Sequence, residues 1–158
     1  MDPPQAAGIP AADAEAAEAA PAAASARENH DSNGGEDVVL QYVVLRRDLW
    51  GELGWPLGSV VAQGCHASTA ALWLSRESPA TQQYCSPGNL DHMHKVVLEV
   101  KSEAQLRSLA DKLAEAGILH KLWVEQPEDF ATCLATAPYP KSAVQPFVKR
   151  LKLCKGSA

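Results

Sequence analysis

The chain lacks the features that mark several large classes of protein. Its 158 residues contain no apolar run long enough for a transmembrane helix. They also contain no P-loop, no G-x-G-x-x-G fingerprint and no G-x-S-x-G elbow, so no motif indicates a nucleotide site or a serine hydrolase. The four cysteines show no C-x-x-C spacing, and we interpret them as reduced, intracellular thiols.

Large apolar side chains are almost absent from the first 37 residues. This segment is rich in alanine and proline and holds eight acidic residues and one basic residue, Arg27. It cannot bury enough surface to offset its ordering entropy, so we predict a disordered, Ala-rich, acidic tail at 1–37 and a folded domain at 38–158. It also lacks the pattern of a signal or transit peptide, and we expect a cytoplasmic protein with no membrane partner.

A strong positive charge is missing as well. The whole chain carries a net charge of −5, but outside the tail 13 basic residues face 11 acidic ones. This balance is compatible with contacts to RNA, although a dedicated nucleic-acid binder is usually much more basic.

The apolar pattern predicts a small α/β domain. An apolar and β-branched run at 38–45 indicates a strand covered on both faces. Ser59 is placed to cap a helix that buries Val61 and Cys65 and ends near Arg76. Further strands are expected at 95–100, 121–125 and 131–136, and further helices at 103–117, after a Ser102 capping box, and at 142–153. The order β-α-β-α-β-β-α predicts an α/β sandwich with a mixed sheet.

Polar residues cluster where the first strand gives way to the first helix. Gln63 and His66 are three residues apart near the helix start, where an imidazole can act as a base and the helix end favours an oxyanion or phosphate. The alternative for His66 is a buried ring satisfied by backbone groups. Asp48 follows the strand and could orient a His, a Lys or a water, or else pair with a neighbouring arginine.

Three other positions carry candidate chemistry. Lys95 opens the second strand and could bind phosphate or simply be solvated. Glu125 lies with Glu128 and Asp129 in a turn, where carboxylates can hold a water or act only as turn formers. Thr132 shares a strand face with Thr136.

Metal and cofactor signals are weak. Asp91, His92 and His94 are close in sequence, but they do not supply the full ligand set that zinc needs. We therefore expect no metal and no cofactor.

Four ordered blocks carry a family resemblance. They are V-x-R-x-D-L at 44–49, G-x-x-x-A-Q-x-x-H-A at 58–67, K-V-V-L at 95–98 and T-C-L-A-T-A-P at 132–138. Together they resemble the archaeal and eukaryotic (type 2) peptidyl-tRNA hydrolases over 38–153. The chain is most similar to the peptidyl-tRNA hydrolase domain-containing subgroup, with which it shares Trp55-Pro56 and the turn at 125–128.

The resemblance implies a fold and a reaction. The fold is a small three-layer sandwich with a four-stranded mixed sheet and helices on both faces. The reaction is hydrolysis of the ester between a peptide and the tRNA ribose, which recycles tRNA and makes peptidyl-tRNA or tRNA the expected partner. The enzyme is thus expected to be a carboxylic ester hydrolase.

The resemblance also assigns roles. The predicted catalytic residues are Asp48, Gln63, His66 and Thr132: His66 or Asp48 positions water, while Gln63 and the helix end hold the carbonyl. The predicted substrate-binding residues are Lys95, Glu125 and Ser59, with Lys95 neutralising phosphate.

One departure keeps other functions open. The family's K-x-G-K before the first helix reads Leu57-Gly58-Ser59 here, so both of its lysines are absent. One alternative is a non-catalytic member that binds RNA or protein. Another is an interaction module whose acidic tail binds a protein partner.

Overall fold

The computed structural model describes residues 37–156. The predictions of a disordered tail and of a tail-bound protein partner concern residues that, except for Asp37, lie outside this range. Within it, none of the helices combines the length and the apolarity needed to cross a membrane.

Twelve short elements make up the described part of the chain. In order they are β1 (Val39–Arg46), α1 (Asp48–Gly51), α2 (Leu57–Leu74), α3 (Pro79–Tyr84), a 3-10 helix (Leu90–His92), β2 (His94–Val100), α4 (Glu103–Glu115), β3 (His120–Glu125), β4 (Phe130–Thr136), β5 (Tyr139–Pro140), α5 (Lys141–Val148) and β6 (Lys152–Leu153).

The strands form a single mixed sheet in the order β3-β4-β1-β2-β6, with β5 also paired to β1. Strands β1 and β2 are parallel, as the helix between them requires, and the other pairs are antiparallel. The prediction of an α/β fold with a mixed sheet is confirmed.

The predicted number of four strands is wrong, because the described sheet has six. Both extra strands are only two residues long, too short to show an alternating pattern. One of them, β6, falls within the range predicted for the last helix. Helix α5 ends at Val148 instead of Leu153, and the chain then turns back to pair with Leu98 and Glu99 of β2.

Helices cover both faces of the sheet. Alternate residues of β1 point to opposite sides, so Val43 and Leu45 pack with α2, whereas Tyr42 and Val44 pack with α4 and α5. This explains why β1 is buried along almost its whole length and reads as a continuous apolar run.

Helix α2 begins earlier than predicted, and it also buries a different face from the predicted one. Its N-cap is Pro56, so Ser59 is the third residue inside the helix and does not cap it. The buried side chains are Val60, Gln63, Ala67, Ser68 and Ala71. Val61 and Cys65, which the sequence pattern predicts to be buried, are both exposed, Val61 to 53%. Each helical residue turns by about 100°, so an error of one position is enough to move a side chain off the core.

Helix α4 follows its local signals closely. The Ser102 hydroxyl accepts a hydrogen bond from the Gln105 N–H at 3.4 Å, and the Gln105 side chain accepts one from the Lys101 N–H at 2.8 Å. The helix ends just before Gly117, whose φ of +69° is a conformation that glycine adopts at little cost. The predicted N-cap and helix stop are confirmed, but the capping box is incomplete, because Gln105 bonds to the N–H of Lys101 and not to that of Ser102.

Candidate functional site

A cleft of about 690 Å³ opens beside the first turns of α2. The ends of β1 and β3 and the start of β4 lie at this edge of the sheet, because β4 runs antiparallel to both of the other strands. The polar side chains of the cleft are Ser59, Gln63, Glu125, Gln126 and Glu128, and its main apolar ones are Leu53, Trp55 and Phe130.

Gln63 is the best-positioned polar group in the cleft. Its side chain is only 5% exposed. Its Oε1 atom accepts a hydrogen bond of 2.8 Å from the Thr132 hydroxyl, and its backbone oxygen accepts one of 3.0 Å from the Cys133 thiol. No other described residue bonds to its Nε2 atom, so a fixed amide N–H remains for a molecule in the cleft.

The start of α2 adds further donors. In the described part of the chain, no side chain caps the first turn of this 18-residue helix. Its free N–H groups and its dipole favour negative charge at the cleft. Ser59 lies in this turn and contributes a hydroxyl to the lining.

Carboxylates line the wall opposite α2. Glu125 ends β3 and accepts a hydrogen bond of 2.9 Å from the Trp123 indole N–H, which fixes its orientation. Glu128 belongs to the exposed turn that follows. Between the two walls, the rings of Trp55 and Phe130 stack with centroids 5.9 Å apart and form an apolar floor.

The structure gives Asp48 an ionic partner. Its Oδ1 and Oδ2 atoms accept hydrogen bonds from Arg46 Nε and Nη2 at 3.1 and 2.6 Å. Arg46 is buried and also bonds to Glu103 at 3.0 Å and to the Ala131 carbonyl at 2.7 Å, with its guanidinium 4.2 Å from the centre of the Phe130 ring. The arginine pairing considered for Asp48 is therefore present, and Asp48 contacts the cleft only through its neighbours.

His66 occupies a different environment from Gln63, although both lie on the first half of α2. It is exposed, so the alternative of a buried histidine does not apply. Its ring stacks on Trp123 with centroids 4.7 Å apart and an angle of 15° between planes. Since Trp123 holds Glu125, His66 is linked to the cleft through two side chains.

Lys95 lies at the other end of the sheet. It pairs with Gln41 on β1, five residues before Arg46. Its Nζ atom donates to the Tyr84 hydroxyl at 3.1 Å, and that hydroxyl donates to the His94 carbonyl at 2.8 Å. Burial lowers the pKa of Lys95, against a smaller opposing effect of Cys85, and raises the pKa of Tyr84 to about 12. The structure does not bring Lys95 to the cleft.

The residues behind the cleft hold Gln63 in place. Thr132 is fully buried and contacts the cleft only through its bond to Gln63. Burial raises the pKa of the neighbouring Cys133 thiol to about 12, so this thiol stays protonated at neutral pH and is unsuited to act as a nucleophile.

Sequence reasoning placed Ser59, Gln63 and Glu125 among the site residues, and all three line the cleft. It did not include the apolar floor of Trp55 and Phe130. Aromatic residues are only 6% of the chain, so each one in a loop or turn is a candidate. Trp55 lies in a loop with glycine and proline, and Phe130 follows an acidic turn.

Comparison with known proteins defines the family to which the described domain belongs. The model of the family described as "Peptidyl-tRNA hydrolase PTH2" matches residues 39–154. The chain belongs to this type 2 peptidyl-tRNA hydrolase family, and the resemblance seen in its motifs is confirmed.

Individual relatives agree with this assignment. A protein of Mus musculus named "Putative peptidyl-tRNA hydrolase PTRHD1" is 48% identical over 119 residues, which are 75% of this chain and 84% of that protein. "Probable peptidyl-tRNA hydrolase 2" of Dictyostelium discoideum is 33% identical over 72% of this chain and 53% of its own length. "Peptidyl-tRNA hydrolase" of Aeropyrum pernix is 38% identical over 49% of this chain and 61% of its own length.

Proposed function

We propose that this protein hydrolyses the ester bond between the peptide and the tRNA ribose of peptidyl-tRNA, and that it does so in the cytoplasm. The observation that carries the proposal is the buried Gln63 amide, whose N–H is free in the cleft beside the uncapped start of α2. Family membership supports the same reaction, since the relatives are named as peptidyl-tRNA hydrolases.

In the proposed reaction, water adds to the ester carbonyl carbon and negative charge develops on the carbonyl oxygen. Gln63 Nε2 and the first N–H groups of α2 stabilise this charge, and Thr132 keeps the amide aimed by holding Oε1. The bond from carbon to the ribose oxygen then breaks, and the ribose oxygen takes up a proton. One such donor is typically worth a factor of ~10²–10³ in rate.

Water needs a base or an orienting group. Glu125 is the predicted site carboxylate that lines the cleft, and Trp123 fixes its direction. We propose that Glu125 orients the water. His66 supports Glu125 by stacking on Trp123, and Asp48 supports the floor of the cleft by fixing Arg46 below it. Ser59 is assigned to the ester oxygen at the mouth of the cleft.

A second function is favoured by one observation. The described lining of the cleft contains no lysine or arginine, and Lys95 is engaged elsewhere. A member of the family without cations at this position could bind RNA or protein without cleaving the ester.

Release of peptide from purified peptidyl-tRNA separates the two functions. We expect cleavage by the wild type and a gain of about tenfold in Ser59→Lys, because an ammonium at the start of α2 adds one charge-assisted donor. Thr69→Lys is the matched control, since Thr69 is an exposed residue of the same helix away from the cleft.

The two lysine variants add the same charge, so an equal gain in both would indicate non-specific tRNA attraction. No cleavage by the wild type and no gain in Ser59→Lys, with tRNA still bound, would support the non-catalytic function.

A further inference from the structure

The charge of the cleft is opposite to what a phosphate site needs. Glu125 and Glu128 are its charged lining residues in the described structure. The Arg46 guanidinium lies against the Phe130 ring and is already paired with Asp48 and Glu103. The start of α2 attracts negative charge with only about half a unit of positive charge, whereas two carboxylates repel it and no free lysine or arginine lines the described cleft, so we expect the tRNA backbone to lie outside.

The shape of the cleft suits the acyl half of the substrate, which carries the amino-acid side chain. Its floor is the stacked pair Trp55 and Phe130, and Leu53, which is 52% exposed, forms part of its rim. Aromatic faces bind methylene chains and cations, whereas they offer nothing to a carboxylate. A volume of about 690 Å³ leaves room for a complete acylated amino acid.

Gln63 supplies an independent donor for a ligand in this space. The residue is only 5% exposed, yet its Nε2 has no partner among the described residues and is open to the cleft. Such an N–H bonds either to water or to a ligand group that replaces the water. The carbonyl of an ester or amide is the simplest acceptor.

We propose that the cleft binds the acyl half of the substrate and selects by its side-chain charge, preferring a cationic amino acid at the ester over an acidic one. The proposal rests on the proposed function only for the identity of the ester. The carbonyl bonds to Gln63, the side-chain methylenes lie along Trp55 and Phe130, and the cationic end group reaches Glu128, which leaves Glu125 to the water.

Binding of small acyl probes tests this without any hydrolysis. The probes are N-acetyl-lysinamide, N-acetyl-norleucinamide and N-acetyl-glutamamide. Binding of each probe to the full chain is followed by NMR, from shifts of the tryptophan indole N–H signals. We expect the order lysine, norleucine, glutamate, with about a tenfold span from first to last. Added salt should narrow the span, because exposed charges are screened.

A matched pair of variants isolates the effect of the Glu128 carboxylate on probe selection. Glu128→Gln should reduce the preference for lysine over glutamate by about threefold. Asp129→Asn removes the same charge from the adjacent residue, which does not line the cleft, and its φ of 51° is one that asparagine adopts readily. This control should keep the wild-type preference.

Equal affinity for all three probes, no binding of any of them, or the same loss in Glu128→Gln and Asp129→Asn would overturn the proposal. Cleavage of N-acetyl-lysyl-tRNA and N-acetyl-glutamyl-tRNA gives a separate answer. Selective binding without cleavage of either tRNA contradicts the proposed function alone. Cleavage of both at equal rates contradicts the charge preference alone.

Discussion

Two glutamines join α2 to the sheet, and they differ in how completely they are bonded. Gln41 on β1 is fully buried; its Nε2 donates to the carbonyls of Ser68 and Thr136 at 3.2 and 2.9 Å, and its Oε1 accepts from the Ser68 hydroxyl at 2.7 Å. Among the described residues, the Gln63 side chain has only the bond from Thr132. Gln41, whose polar atoms are all bonded within the protein, therefore stabilises the core. Gln63 keeps a free donor and can bind a ligand.

The largest expected effect is on Gln63. In Gln63→Ala the free amide is lost, and we expect the rate of peptidyl-tRNA cleavage to fall by about a hundredfold, as for other preorganised oxyanion donors. The fold should remain with a smaller loss of stability than in Gln41→Ala, about 1–2 kcal/mol, because only the buried Thr132 hydroxyl loses its partner. Steady-state kinetics with a urea titration checks both parts. A loss of stability that accounts for the whole loss of rate would remove the difference between the two glutamines.

Gln41→Ala should show the reverse pattern. The Ser68 hydroxyl and the Thr136 carbonyl lose their buried partner, so we expect the free energy of unfolding to fall by about 2–4 kcal/mol. Cleavage per folded molecule should be unchanged, because Gln41 does not line the cleft. Urea denaturation gives the first quantity, and active-site-normalised kinetics gives the second.

Thr132 tests whether the aim of Gln63 matters. Thr132→Val keeps the shape but removes the hydroxyl, so the amide loses its anchor and the rate should fall about tenfold. Thr132→Ser retains the hydroxyl and is the matched control, expected to cleave at close to the wild-type rate. Similar losses in both variants would point to packing on β4 as the cause.

The smallest effect concerns pH. Burial favours the neutral form of Glu103, but bonds to Arg107 and the Ala131 N–H, with the charges of Arg107 and Arg46, outweigh it and lower the pKa from 4.5. A lowered pKa adds stability above the unfolded value, which is lost as the pH falls through the folded value. The stability difference between wild type and Glu103→Gln should shrink below pH 4.5.

Melting curves at a series of pH values measure this difference. The hydrogen bonds of Gln41 and Gln63 involve uncharged groups, so their contribution to stability should not change over this range of pH. A constant difference between wild type and Glu103→Gln down to acid pH would contradict the ion-pair explanation.

Local patterns explain most of what the sequence predicts about the fold. The apolar run of β1 and the Ser102 N-cap of α4 each depend on a few neighbouring residues, and both are observed. The strands β5 and β6 depend on what the chain meets after it turns, and two residues carry no pattern of their own.

The candidate site divides in the same way. Helical spacing brings Ser59 and Gln63 to one cleft, since both lie at the start of α2. It cannot show that Gln63 turns inward to Thr132 while His66 turns outward to Trp123, because those partners lie on strands 69 and 57 residues later in the chain. The catalytic and binding roles of these residues remain predictions.

The position of β1 in the sheet has a consequence for the synthesis of the protein. This strand is made early, but its neighbours are β2, β4 and β5, and β4 ends only at Thr136. Until nearly the whole chain has left the ribosome, β1 has an unpaired edge, and its apolar side chains lack part of their cover. Nascent chains of this protein should therefore depend on chaperones until β4 is complete.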